Sequence, residues 1–160
     1  MDLTKKVRQL KETLDARGKT VALAESCTGG LISSQIVHLD GVSSFYHGSV
    51  VSYSSKVKRE VLNVPPTLIQ TMGEVSEPVA VAMAEGVRTS LSSDWALSVT
   101  GVAGPGGGTE QKPVGTVCFA IVGPGYKNAV TKNFNLKNRN EIQWASADFA
   151  LSFLLESFNS

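Results

Sequence analysis

Cysteine is scarce in this chain: there are only two, Cys27 and Cys118, far apart in sequence. Neither belongs to a His/Cys/Asp/Glu cluster with transition-metal spacing, so no catalytic metal is expected. A secreted domain that relied on disulfides would use more cysteine, and both residues read as reduced thiols in a cytoplasmic protein. Histidine is equally rare, and neither His38 nor His47 stands in a Ser-His-Asp context. No sign of charge dominates either, with 15 Lys+Arg against 14 Asp+Glu and no block of five like charges. Nothing therefore advertises nucleic acid or a membrane surface as a partner. No apolar run approaches the ~20 residues of a membrane span. The polar, periodic start Asp2-Leu3-Thr4-Lys5-Lys6 predicts neither export nor insertion.

What is present suits one self-sufficient core. A chain of 160 residues with 42% hydrophobic content buries about two-thirds of its unfolded surface, which favours a single domain over 1–160. Leu3, Val7, Leu10 and Leu14 fall at helical spacing, predicting an amphipathic helix over 2–17 that closes at Gly18. Thr20 to Ala24 is too short an apolar run for a helix and reads as a buried strand emptying into Glu25-Ser26-Cys27-Thr28-Gly29-Gly30. Helical spacing resumes with Leu31, Ile32, Ile36 and Val37 until Asp40-Gly41. Ser49–Tyr53 reads as a second strand, Pro65-Pro66 as loop punctuation, and Glu77-Pro78 as the start of a helix carrying Val79, Ala82, Met83 and Val87. Trp95–Thr100 reads as a strand entering a loop, 101–109, with five glycines in nine residues. Two further strands, Gly115–Val122 and Ala129–Phe134, flank the turn signal Gly123-Pro124-Gly125, and a last helix aligns Ile142, Ala145, Phe149 and Phe153. Strands alternate with helices and then pair as a hairpin, which predicts a layered α/β fold with a mixed sheet.

In such sheets ligands bind beyond the carboxyl ends of strands, where the loops at 26–30 and 100–109 both lie. Ser26 is a candidate nucleophile on a strand-to-helix turn, with amides at Thr28, Gly29 and Gly30 to hold an oxyanion or a phosphate. The alternative is a capping serine bonded to the first free amides of the next helix. A base for Ser26 must come from elsewhere than histidine. Lys56 and Lys58 follow the second strand closely enough to reach the site, or are solvated surface lysines. Cys27 is a rival nucleophile or small buried filler. The glycine-rich loop lacks the Gly-Lys-Ser/Thr ending of a phosphate-binding P-loop, and is either a ligand cradle or an ordinary surface loop.

Ala24-Glu25-Ser26-Cys27-Thr28-Gly29-Gly30, Val51-Ser52-Tyr53-Ser54, Val75-Ser76-Glu77, Val99-Thr100-Gly101-Val102-Ala103-Gly104-Pro105 and Lys112-Pro113-Val114-Gly115-Thr116-Val117 together resemble the CinA C-terminal domain family across nearly the whole chain. The resemblance implies a three-layer α/β/α domain in its stand-alone form. It further implies a cofactor-free amidohydrolase of pyridine nucleotide salvage, converting nicotinamide mononucleotide and water to nicotinate mononucleotide and ammonia. On that resemblance Ser26 is the nucleophile, and Tyr53 and Lys58 complete a Ser-Tyr-Lys set. Thr28, Gly29, Gly30, Thr100, Gly101, Ala103 and Gly104 bind substrate, and the protein is a homo-oligomer. Arg139 is the remaining arginine for the phosphate, or a helix-start surface charge. The chain departs from the family pattern at Ser49, at Ser55, at Lys137-Asn138, and at Gln143, where a second arginine is usual. Those departures keep open a protein that binds the nucleotide without deamidating it. A role in DNA uptake or repair finds no basic patch to support it.

Overall fold

A computed structural model describes residues 2–159. The chain runs α1 (Thr4–Arg17), β1 (Val21–Glu25), α2 (Leu31–Val37), a 3-10 turn (Val42–Ser44), β2 (Tyr46–Val51), α3 (Ser55–Glu60), α4 (Pro66–Met72), α5 (Glu77–Ser90), β3 (Trp95–Gly101), β4 (Thr116–Gly123), β5 (Tyr126–Asn133) and α6 (Arg139–Ser157). One five-stranded sheet has the order β2-β1-β3-β4-β5. β1 is parallel to both β2 and β3, and β4 and β5 are antiparallel. The mixed α/β sheet expected from the sequence is therefore the one observed, and the carboxyl ends of three parallel strands meet at one edge.

Strand alternation divides the core into two chemically different halves. Val21 and Leu23 of β1, Leu97 and Val99 of β3, and Val117, Phe119 and Ile121 of β4 pack against α1, α2 and α6. On the opposite face the same strands present Ala22, Ala24, Ala96, Cys118, Ala120 and Val122 to α5 and the α3–α4 connection. Ser98, also buried, donates to the Ala80 carbonyl of α5 at 2.5 Å. Bulky residues fill one side of the sheet, and mostly small ones bring α5 close on the other. Helices on both faces complete the three layers. No helix among the described residues is long and apolar enough to cross a membrane.

The close approach on the α5 side has a sharp local expression. A Cβ at Gly86 would stand 2.0 Å from the Leu62 carbonyl oxygen. Gly86→Ala gains helix propensity of about 1 kcal/mol but must push the α3–α4 backbone away, an overpacking cost of about 1–3 kcal/mol. The clash wins, because the obstacle is backbone rather than a flexible side chain. A thermal melt of the variant is expected to fall by about 5 °C.

Beyond shifts of one or two residues at several element ends, the larger differences from the sequence expectation are in β2, α4 and β5. β2 starts at Tyr46 and ends at Val51, before Tyr53. It is an edge strand whose pairing with β1 shifts register between Val21 and Ala22, so its half-exposed residues carry little apolar signal. Pro65-Pro66 opens a helix, since Pro66 fills the first turn of α4, where a missing N–H costs nothing. In the hairpin, Gly123 pairs with Tyr126, so β5 begins immediately after a two-residue turn, with Gly125 at φ +67°.

Candidate active site

β1 empties into a tight turn whose backbone is largely self-satisfied. The Ser26 amide donates to the Val99 carbonyl, extending the β1–β3 ladder by one bond, and the Gly29 amide donates back to the Ser26 carbonyl. Glu25, fully buried, faces five donors. Its Oε2 accepts from Thr28 Oγ1 (2.8 Å), Gly30 N (3.1 Å) and Ile32 N (3.1 Å), and its Oε1 from Ser33 N (2.8 Å) and Ser33 Oγ (2.5 Å). The carboxylate thus caps the start of α2 from inside the fold. The N-cap position itself is Gly30, in the left-handed region at φ 96°. Ser26 is consequently not a capping serine.

The Ser26 hydroxyl meets Lys58 instead. Ser54 caps α3 by accepting from the Val57 amide, and this orientation sends the fourth residue of the helix inward. Lys58 is only 1% exposed, the reverse of a solvated surface lysine. Its Nζ donates to Ser26 Oγ at 3.0 Å and to the Ser52 carbonyl at 2.8 Å, with the Tyr53 carbonyl at 3.5 Å. Glu74 Oε1 lies 3.7 Å away. Burial lowers the Lys58 pKa below the ordinary lysine value, against an opposing pull from the Glu74 charge. The Ser52 hydroxyl is the one buried side-chain oxygen or nitrogen without a hydrogen-bond partner among the described residues.

Desolvation counts against Cys27, the rival nucleophile, which lines the same cavity as Ser26. The Cys27 thiol is pushed up to about 12 by desolvation, so it stays protonated at neutral pH and fills space. Lys56 is exposed. The histidines are exposed too, His38 bonded to Ser34 O and His47 to Leu91 O.

The glycine-rich loop forms the facing wall. Ser26, Tyr53, Lys58, Thr100, Gly101, Ala103, Gly104 and Arg139 line one cavity of about 280 Å³, with Glu74 and Val75. Thr100 Oγ1 donates to the Glu74 carbonyl at 3.0 Å. Arg139, at the start of α6, donates from Nη1 to the Gly104 carbonyl (2.8 Å) and from Nη2 to the Tyr53 hydroxyl (2.9 Å). Both partners are neutral acceptors, so the guanidinium charge is left for an anion. The Tyr53 ring is 61% exposed at the cavity rim. Its hydroxyl is engaged by Arg139, and the direct contact on Ser26 comes from Lys58.

Thr28, Gly29 and Gly30 are not brought into this cavity. They line a separate hollow of about 420 Å³ with Leu31, Ser34, Asn140, Gln143 and Trp144. The amides of Gly29 and Gly30 are already taken, by the Ser26 carbonyl and the Glu25 carboxylate. The tight turn folds its second half behind Ser26. Glu25, the Ser52 carbonyl, Glu74 and Val75 are site components that the sequence reading did not select. Glu25 carried a signal, as an acid closing an apolar strand just before a run of donors. Glu74 carried none, because only the tertiary fold brings it to Lys58. Among the described residues no group of three or more His, Cys, Asp or Glu side chains is placed to hold a metal ion.

Residues 3–158 match the family model described as the CinA C-terminal domain. A CinA-like protein of Mycobacterium avium is 48% identical over 141 residues, covering 86% of this chain and 32% of that protein. A CinA-like protein of Synechococcus is 44% identical over 144 residues, covering 89% of this chain and 34% of its own length. The chain thus spans about a third of the length of these curated relatives. Among solved structures, the competence/damage inducible protein CihA from Agrobacterium tumefaciens aligns with a TM-score of 0.95 at 33% identity, covering 100% of this chain and 97% of that one. A competence or damage-inducible protein from Enterobacter asburiae aligns at 0.94 and 28% identity, covering 99% of each chain.

Proposed function

The chain belongs to the CinA C-terminal domain family, and from the site it carries we propose that it is an amidohydrolase that deamidates nicotinamide mononucleotide, with Ser26 as nucleophile and Lys58 as its base. The observation that carries this proposal is the buried Lys58 amine, 3.0 Å from the Ser26 hydroxyl. A lysine works as a base only when a dry environment lets it shed its proton near neutral pH, and burial is the first cause of its lowered pKa.

The neutral amine takes the Ser26 proton as Oγ attacks the carboxamide carbon. The tetrahedral oxyanion is held by the Cys27 amide, the turn residue that lines the cavity beside Ser26, since the amides of Gly29 and Gly30 are committed elsewhere. Lys58, now an ammonium, returns the proton to the departing nitrogen, and ammonia leaves an acyl ester on Ser26. Water, deprotonated by Lys58, then cleaves the ester to release nicotinate mononucleotide and restore the hydroxyl. Arg139 supplies the charge for the phosphate at the rim, while the loop from Thr100 to Gly104 brings backbone against the nucleotide.

The test is ammonia release from nicotinamide mononucleotide by the purified protein, with nicotinamide riboside beside it. Stoichiometric ammonia and nicotinate mononucleotide are expected, with kcat/KM lower by about tenfold or more for the riboside, which lacks the group that Arg139 would hold. No release, with the nucleotide still raising the melting temperature, would identify a binding protein on this fold instead.

A further inference from the structure

Glu74 is the acidic side chain in the cavity wall, and the mechanism above leaves it idle. It sits in the short segment between α4 and α5, 44% exposed, and is held at three points. Its Oε1 accepts from Ser55 Oγ at 2.5 Å, the same oxygen stands 3.7 Å from Lys58 Nζ, and its carbonyl accepts from Thr100. Ser55 and Lys58 both belong to α3, so one carboxylate oxygen bridges two residues of that helix and ties them to the segment leading into α5.

We propose that the Ser55–Glu74 pair is a positioning device for Lys58, holding its amine against Ser26 and governing how readily that amine gives up its proton. The inference rests on the reading of Lys58 as the base. The groups around the amine make Glu74 the governing charge. The end of β1 contributes the Ser26 hydroxyl and the protonated Cys27 thiol. The segment after β2 contributes the carbonyls of Ser52 and Tyr53, and α6 contributes Arg139, which is engaged by Tyr53 and Gly104. A carboxylate beside an amine favours the ammonium, opposing what burial does. Removing the negative charge therefore makes Lys58 a weaker base that is neutral over a wider pH range, so activity should persist to lower pH.

The experiment titrates Lys58 directly, from the ¹³Cε signals of lysine-labelled protein, with the Lys58 signal assigned by its loss in Lys58→Met. In Glu74→Gln the Lys58 midpoint is expected to fall by about one pH unit. In Ser55→Ala it falls less, because the carboxylate is retained but freed, and Glu74→Asp restores most of the native value. The acidic limb of kcat/KM for ammonia release moves in the same direction in each variant. A midpoint in Glu74→Gln equal to the native one would overturn the proposal. A stability role alone would change the melting temperature and leave the titration in place. Absence of ammonia release by the native protein would count against the substrate, and the titration would still decide the role of Glu74.

Discussion

Ser26→Ala and Lys58→Met are expected to lower kcat by similar factors, about 10³ or more, and the double variant is expected to be no slower than either alone. The hydroxyl and the amine are one hydrogen-bonded unit. On the proposed mechanism, removing the nucleophile leaves the base nothing to deprotonate, and removing the base leaves a hydroxyl that attacks too weakly to matter. Single-turnover ammonia release measures all three variants. A double variant slower by the product of the two factors would mean that the residues act independently, and the pairing would fail as a mechanism.

Lys58→Met carries a second, opposite expectation. The native fold buries an amine at 1% exposure whose nearest carboxylate is half exposed to water, which is a poor exchange for stability. A methionine of similar length fills the same space without that desolvation, so the variant melts at or above the native temperature. The pH dependence follows by linkage. Between the lowered folded-state value and the ordinary 10.5 of lysine, the unfolded chain binds the proton that the folded chain does not. Native stability therefore rises with pH across that window, and Lys58→Met flattens the slope. Denaturant melts at several pH values read this effect separately from catalysis.

Glu25→Gln is expected to be the most damaging near-isosteric change in the site. Five donors converge on two acceptor oxygens. An amide replaces one acceptor with a donor, so two or three N–H and O–H groups would face an N–H₂ in a fully buried pocket. The cost is about 3 kcal/mol or more, near 10 °C in melting temperature for a chain of this size. Ser26 is the next residue, so kcat should fall even at temperatures where the variant is folded. A Glu25→Gln protein with native melting and native turnover would show that the turn holds its shape without the carboxylate.

The residues that were legible in the sequence are those whose roles are local. Leu3, Val7, Leu10 and Leu14 announced α1, Gly18 announced its end with φ 59° and its amide closed onto Asp15, and the apolar run before Glu25 announced a buried strand. Ser26 stood out because a serine between a strand and a glycine turn is chemically placed. Periodicity was silent on α4, because a proline pair reads as a break whether it ends one element or opens the next. Lys58 had two readings that only burial could separate. The offset of Thr28, Gly29 and Gly30 behind the cavity arises from which amides the turn spends on itself, a matter of geometry over four residues. Glu74 was invisible for a different reason. Its meaning comes from the sheet order, which sets the loop before α5 beside the helix after β2.

That sheet order also makes the cavity adjustable from a distance. Glu74 and Val75 line the cavity and lead directly into α5, and α5 rests on Ala22, Ala24, Ala96 and Ala120 with Ser98 tied to its Ala80 carbonyl. These small side chains act as shims. Thickening one by a carbon or two would lift α5 and carry the Glu74 wall with it, changing the width offered to a substrate while every residue that touches the substrate stays the same.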